Sequence, residues 1–313
     1  MSWQPSATPR TLRARARIYA EIRAYFASRE CLEVDTPLLS PCTNPDPQIA
    51  SIEADNQGNR LYLQTSPEFA MKRLLAAGSG SIYQICHAFR AGERGRRHRP
   101  EFTLLEWYRV GYDYQRLMDE IEDLIDHLSN RRNAYRRVRY AELFDEYLGI
   151  DIDSMGIDEF RALCATRIPG TDSRGYGIDD CLDLLLSLEI APRLEGFVFV
   201  TDYPLSQASL ARVSGADAAV AERFELYHDG LELANGFSEL TDARLQRERF
   251  IADNRVREQR DQPRYPLDEL MLAALAQGLP ECAGVALGLD RLLMVLLGFD
   301  SIEQVMTFND PAC

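Results

Sequence analysis

"SIYQICHAFRAGERGRRHRPEFTLLEWYRVGY", residues 81–112, decides how the rest of the chain is read. Its two flanks, "SIYQICHAF" and "EFTLLEWYRVGY", alternate apolar and polar residues with a period of two, the pattern of half-buried strands. Between them Arg90, Arg94, Arg96, Arg97, Arg99 and His98 fall within ten residues. The stretch predicts an antiparallel hairpin with a long basic tip. A guanidinium offers a fixed fork of donors that matches phosphate oxygens, so such a tip suits a polyphosphate, although an Arg-rich surface loop would read the same way.

Working outward, Leu12, Ile18, Ile22, Tyr25 and Phe26 recur at helical spacing and predict a helix over about 11–28. The extended "CLEVDTPLL" follows, stopped by Pro37, which cannot donate to a ladder. "RLYLQ" at 60–64 reads as a strand, and "TSPEFAMKRLLAAG" as a helix with Ser66 as its cap, Pro67 first and Gly78 as its stop. Asp113 opens a helix to about residue 128. Residues 130–195 carry the helical patterns "YAELFDEYL" and "CLDLLLSLEI" without recognisable chemistry, and read as an insertion of helices.

Strands are expected again in "GFVFVTDYP", "ASLARVS" and "RFELYHDGLELANGFSEL", and helices near 242–259 and 267–277. "CAGVALGLDRLLMVLLG" predicts a strand running into a helix through Gly288. Hairpin strands with helices at the start, middle and end imply an α+β fold on an antiparallel sheet, taken as one domain over 1–313. Neither G-x-G-x-x-G nor G-x-x-x-x-G-K-[ST] occurs, which argues against a parallel nucleotide-binding fold.

A net charge of -14 gives no global attraction to nucleic acid, so the basic tip must serve something compact. The longest apolar run, "GVALGLDRLLMVLLGF", is broken by Asp290 and Arg291 and is too short for a bilayer, and the Arg-rich start has no apolar segment behind it. A cytoplasmic protein is expected. The seven cysteines form no C-x-x-C pair, which argues against a disulfide framework and a zinc site. Lys72 is the only lysine among 35 basic residues, an oddity that a base-composition bias explains.

Two further features bear on the site. Glu232 and Glu239 lie seven residues apart in "ELANGFSEL"; brought to one face by a bulge, for which Asn235-Gly236 is the candidate, they could hold Mg²⁺ beside a triphosphate. In "GVALGLDR" small residues let a nucleotide approach the backbone, and Arg291 opens the following helix. Each feature alone has an ordinary explanation, as surface charge or as a structural ion pair. Together they describe a site for ATP and metal without a P-loop.

At this point the chain resembles the class II aminoacyl-tRNA synthetases, and within them the lysyl branch. "RIYAEIRAYFASRECLEVDTPLL" is similar to motif 1, with Pro37 as its proline; "FRAGERGRRHRPEFTLLEWY" to motif 2; "GVALGLDRLL" to motif 3. Motif 1 begins so early that no anticodon-binding OB-fold domain is expected. "ASLARVS", "ELANGFSELTDAR" and "GVALGLDR" look like the truncated lysyl-synthetase paralogues that attach lysine or (R)-β-lysine to a lysine side chain of translation elongation factor P. The alternatives are a stand-alone lysyl-tRNA synthetase-like enzyme, a non-catalytic regulatory paralogue, and a synthetase-like amidating enzyme.

The resemblance implies that ATP and Mg²⁺ are used, that elongation factor P and not tRNA is the acceptor, and that motif 1 builds a homodimer. Arg90 would hold the α-phosphate of ATP and Arg291 the γ-phosphate, as the catalytic pair, with Ala91, Gly92, Arg99, Glu232, Leu233 and Gly288 also at the nucleotide. Ser66, Pro67, Glu68, Tyr108, Glu239 and Ala286 would line the amino-acid pocket, and Glu232 and Glu239 would bind the metal. The chain departs from the family pattern at Arg99, where Asn is usual, at Gly92, where an acid is usual and Glu93 follows, and at Ala286, where lysyl synthetases have Gly. The extra methyl at Ala286 is consistent with a shifted backbone such as that of β-lysine.

Overall fold

Thr8 accepts from the Thr11 N–H at 3.2 Å and Pro9 occupies the first turn of α1 (Pro9–Ala27), so the first helix starts where a side-chain cap and a preset φ favour it. The computed structural model describes residues 3–308. These group into two units, one of the residues up to Arg131 with those from Ser238 onward, the other of Arg132–Phe237. In the first, α1 is followed by β1 (Leu32–Glu33), β2 (Leu39–Ser40), β3 (Glu53–Asn56), β4 (Asn59–Leu63), α2 (Glu68–Ala76), β5 (Ile82–Phe89), β6 (Glu101–Val110) and α3 (Tyr114–Ser129). Asp113 caps α3 as expected, accepting from Arg116 N.

The cap of α2 falls on Pro67 rather than Ser66, with no side-chain cap bond. Proline has no N–H to lose at a helix start, and the Ser66 hydroxyl still accepts from Glu68 N at 3.3 Å.

The second unit runs β7 (Tyr135–Arg139), α4 (Tyr140–Leu148), α5 (Ile157–Arg167), α6 (Ile178–Leu185), β8 (Phe197–Pro204), β9 (Val220–His228) and β10 (Leu231–Ser238). Strands β8, β9 and β10 pair antiparallel, and β7 adds to β8 in parallel. The helices cover an apolar core of Tyr140, Phe144, Phe160, Leu182, Leu185 and Val200. "ASLARVS" is not a strand: it forms isolated bridges, at Ala211 and at Val213, the latter with Ala221. β10 does bulge, but between Glu232 and Ala234, at Leu233, not at Asn235-Gly236.

The chain re-enters the first unit with α7 (Ala243–Gln259), α8 (Glu269–Gly278), β11 (Cys282–Gly288) and α9 (Leu289–Leu297). Its strands lie in the order β1-β5-β6-β11, with β5–β6–β11 antiparallel and β1 parallel to β5. The expected hairpin and the strand-to-helix passage at Gly288 are both present. The antiparallel expectation needs only the correction that β1 and β7 are parallel to their neighbours. Among the described residues no helix is long and apolar enough to cross a membrane.

β6 is buried on both faces, and its period of two divides its side chains by task. Trp107 and Arg109 turn toward the helices: Phe26 of α1 lies 5.4 Å from the Trp107 ring, and Glu120 of α3 accepts from Trp107 Nε1 at 3.1 Å and pairs with Arg109 at 2.9 Å. Each such aromatic contributes about 1.5–3 kcal/mol of burial. Glu106 and Tyr108 turn to the other face.

Candidate active site

The basic tip is folded back on itself. Arg90 N donates to Pro100 O at 2.8 Å and closes the hairpin, and Ala91 N donates to Ala50 O at 2.7 Å. Gly92 has φ +79°, a left-handed conformation that explains glycine where the family pattern has an acid. The neighbouring Glu93 lies 3.7 Å from Arg90 Nη1. The Arg90 guanidinium sits 5.1 Å from the Phe102 ring, and its Nε is buried with no hydrogen-bond partner among the described residues. A buried, partnerless donor on a cation is a place for an anion.

Arg291, in the first turn of α9, donates from Nε to the Arg97 carbonyl at 3.4 Å. The two arginines expected at the phosphates are thus tied to one loop, Arg90 at its base and Arg291 at its tip. Gly288, the N-cap of α9, lies opposite Leu104 in the β6–β11 ladder. Asp290, which sequence reasoning passed over, fixes this helix start: it accepts from Thr103 N at 2.7 Å and from Arg15 Nη1 at 2.5 Å. Arg99 is buried, its guanidinium donating to Gly95 O and His98 O within the loop and pairing with Glu303.

A second cluster lies on the β6–β11 face. Register places Tyr108 opposite Gly284 and Glu106 opposite Ala286, so the Ala286 methyl stands beside the Glu106 carboxyl on the same face. A Cβ on Gly284 would lie 2.3 Å from the Tyr108 ring and 2.5 Å from Glu239 Oε1, so only glycine lets both close on the strand. Tyr108 donates to Glu106 Oε1 at 2.8 Å. Lys72 of α2 pairs with Glu68 at 2.8 Å and with Glu239 at 2.6 Å. Ser66 and Pro67 lead into that helix.

Three carboxyls and one ammonium therefore share a buried space. Burial works against the charge on Lys72, but Glu239 and then Glu68 outweigh it and raise its pKa. Burial also pushes Glu239 up to about 8 against the pull of Lys72, and with Glu68 alongside it pushes Glu106 well above the carboxylate range. Both members of the Lys72–Glu239 pair are raised because the acids outnumber the ammonium: Lys72 stays charged, and the excess acids favour protons. Glu106 Oε2 and Glu239 Oε1 are buried without hydrogen-bond partners among the described residues. Surplus buried carboxyls with partnerless oxygens fit an incoming ammonium.

Ser66, Pro67, Glu68, Tyr108, Glu239 and Ala286 fall in this neighbourhood; Glu106 and Lys72 were missed. Two residues before Tyr108, Glu106 had to share its face, so the strand period could have found it. Glu232 and Leu233 belong to the second unit: Leu233 is buried at the bulge, and Glu232, half-buried, stands opposite Tyr227.

A sheet hairpin with an arginine loop and a second arginine opening the helix after the neighbouring strand, with an acidic cluster on the face of those two strands, fit the three motifs, and the chain belongs to the family tRNA synthetases class II (D, K and N), which it matches over residues 2–311. It is 47% identical over 317 residues to the elongation factor P--(R)-beta-lysine ligase of Salmonella gallinarum, covering 98% of this chain and 97% of that protein. Proteins of the same name from Salmonella paratyphi B and Salmonella schwarzengrund are each 46% identical over 320 residues, with the same coverage.

Proposed function

We propose that this chain is a ligase that uses ATP to activate lysine or (R)-β-lysine as an adenylate and passes it to a lysine side chain of elongation factor P. The observation that carries the reading is the pairing, on β6 and β11, of an arginine loop with a partnerless buried donor and a pocket with surplus buried carboxyls. One suits a triphosphate, the other an aliphatic amine.

In the first step the amino-acid carboxylate attacks the α-phosphorus of ATP and pyrophosphate leaves. Arg90 holds the α-phosphate and Arg291 the γ-phosphate, so guanidiniums meet the charge as it redistributes. Glu68, Tyr108, Glu106 and Glu239 grip the amine end and aim the carboxylate, which makes the step one of positioning. Ala91, Gly92 and Gly288 supply backbone to the nucleotide and Ala286 lines the amino-acid pocket; a place for Leu233 at the nucleotide rests on the resemblance alone. Arg99, bound to the loop's own carbonyls, serves that site by shaping it. In the second step the acceptor amine attacks the carbonyl and AMP leaves. At pH 7 only about one such amine in a few thousand is neutral, which costs about 4–5 kcal/mol and calls for a desolvated approach or a base.

Mg²⁺ is the metal the family uses, and it neutralises phosphate charge when bound. It usually keeps waters and takes only one or two carboxylates, so a dedicated cage is not required; among the described residues no group of three or more His, Cys, Asp or Glu side chains is arranged to hold a metal ion. Glu232 and Glu239 have the oxygen donors it prefers, and their roles as its ligands rest on the resemblance alone. The pairing of Glu239 with Lys72 favours its amine role.

The chain is further taken as a single catalytic domain with inserted helices at about 130–195, cytoplasmic, without a tRNA substrate. A homodimer through motif 1 is supported by the exposure of Leu32, Leu38 and Leu39 and is checked by light scattering. The direct test is pyrophosphate exchange with each lysine isomer, ATP and Mg²⁺. Exchange with at least one isomer is expected; none with either would contradict the reading.

A further inference from the structure

Lys72 is the one lysine of the chain, and it is not on the surface: its side chain is fully buried on α2, one turn after Glu68. Its ammonium reaches 2.8 Å from Glu68 Oε1 and 2.6 Å from Glu239 Oε2, and both Glu239 and Lys72 have 0% side-chain exposure. Nothing in the adenylation chemistry calls for it. A buried ammonium is costly unless it answers a specific charge, and here the charge consists of two carboxylates arriving from different elements. A guanidinium would need them in one plane, whereas an ammonium is a compact point donor that can serve two directions at once. That requirement, and not base composition, accounts for lysine at this position in a chain that otherwise uses arginine.

We propose that Lys72 is a positioning residue of the amino-acid pocket, an internal ammonium that bridges Glu68 and Glu239 and holds both carboxyls toward a substrate's primary aliphatic amine. With Glu68, Glu106 and Glu239 facing one Lys72, and Tyr108 the other polar group against them, the acids exceed the internal cation. The substrate ammonium makes up the difference. Without Lys72 the two carboxyls lose the donor that bridges them, and the amine meets groups no longer held toward it.

The inference rests on the amine-pocket reading, and pyrophosphate exchange separates the two. Lys72→Met is expected to raise the KM for the lysine-type amino acid at least tenfold and leave the KM for ATP within twofold. Lys72→Arg should not restore the wild-type value. If Lys72→Met does not fold, Lys72→Gln, which removes the charge but keeps a hydrogen-bond donor, should show the same split between the two KM values. A folded variant with wild-type amino-acid KM overturns the inference while leaving the functional reading intact, and so does a variant that loses thermal stability with both KM values moving together. A wild-type protein inert with every lysine isomer removes both.

Discussion

Arg90 and Arg291 stand two hundred residues apart in sequence yet attach to the same loop, the first through the hairpin closure at Pro100 and the second through the Arg97 carbonyl. If they hold the triphosphate, Arg90→Ala and Arg291→Ala each slow pyrophosphate exchange by about 10²–10³-fold, the usual cost of removing one preorganised charge-stabilising donor. Their far-ultraviolet circular dichroism stays wild-type. Wild-type exchange in both would remove the phosphate assignment. These residues were legible because arginines clustered in an acidic chain are conspicuous, and Tyr108, Glu68 and Glu239 because the resemblance points to them. Lys72 and Glu106 escaped because their meaning is collective. A lone lysine on a helix looks like a solvated charge until Glu239, more than 160 positions away, closes on it.

At the scale of elements, the tip loop is held from outside as well as from within. Ile302 N donates to Arg96 O at 3.0 Å, Asp300 lies 3.3 Å from Arg96, and Glu303 pairs with Arg99, which in turn ties Gly95 and His98. Glu303→Gln should therefore raise the KM for ATP by about two- to fivefold, since a half-exposed ion pair is worth roughly 0.5–1 kcal/mol. The KM for the amino acid should not move. Steady-state kinetics checks this, and equal changes in both constants would count against the loop's being the affected part. The sequence showed the hairpin, the capped α3 and the β11–α9 passage, because period and caps are local signals. It misplaced what depends on neighbours: the bulge at Leu233 is fixed by pairing with β9, "ASLARVS" makes isolated bridges instead of a ladder, and β7 exists by adding to β8.

Over the whole molecule, stability should depend on pH through buried acids outside the pocket. Asp183, which accepts from Gln207 at 2.9 Å, is pushed up to about 7 by burial, against the pull of Arg223. A carboxyl raised in the folded state binds its proton more tightly there than when unfolded. Its stabilisation is therefore complete below the unfolded value near 4 and is lost as pH rises through about 7. Asp183→Asn, which keeps the accepting oxygen, should raise the Tm relative to wild type more at pH 8 than at pH 5; an equal difference at both would mean Asp183 does not titrate in this range. The arginine loop, the acidic pocket and the buried ammonium meet in one claim, that a lysine-type amino acid is activated here and handed to a protein amine. The intact mass of elongation factor P after incubation with this protein, ATP, Mg²⁺ and (R)-β-lysine or lysine tests it most directly. The account predicts the addition of one lysyl group to one lysine, dependent on ATP and lost in Arg90→Ala; an unmodified acceptor with both isomers would contradict it.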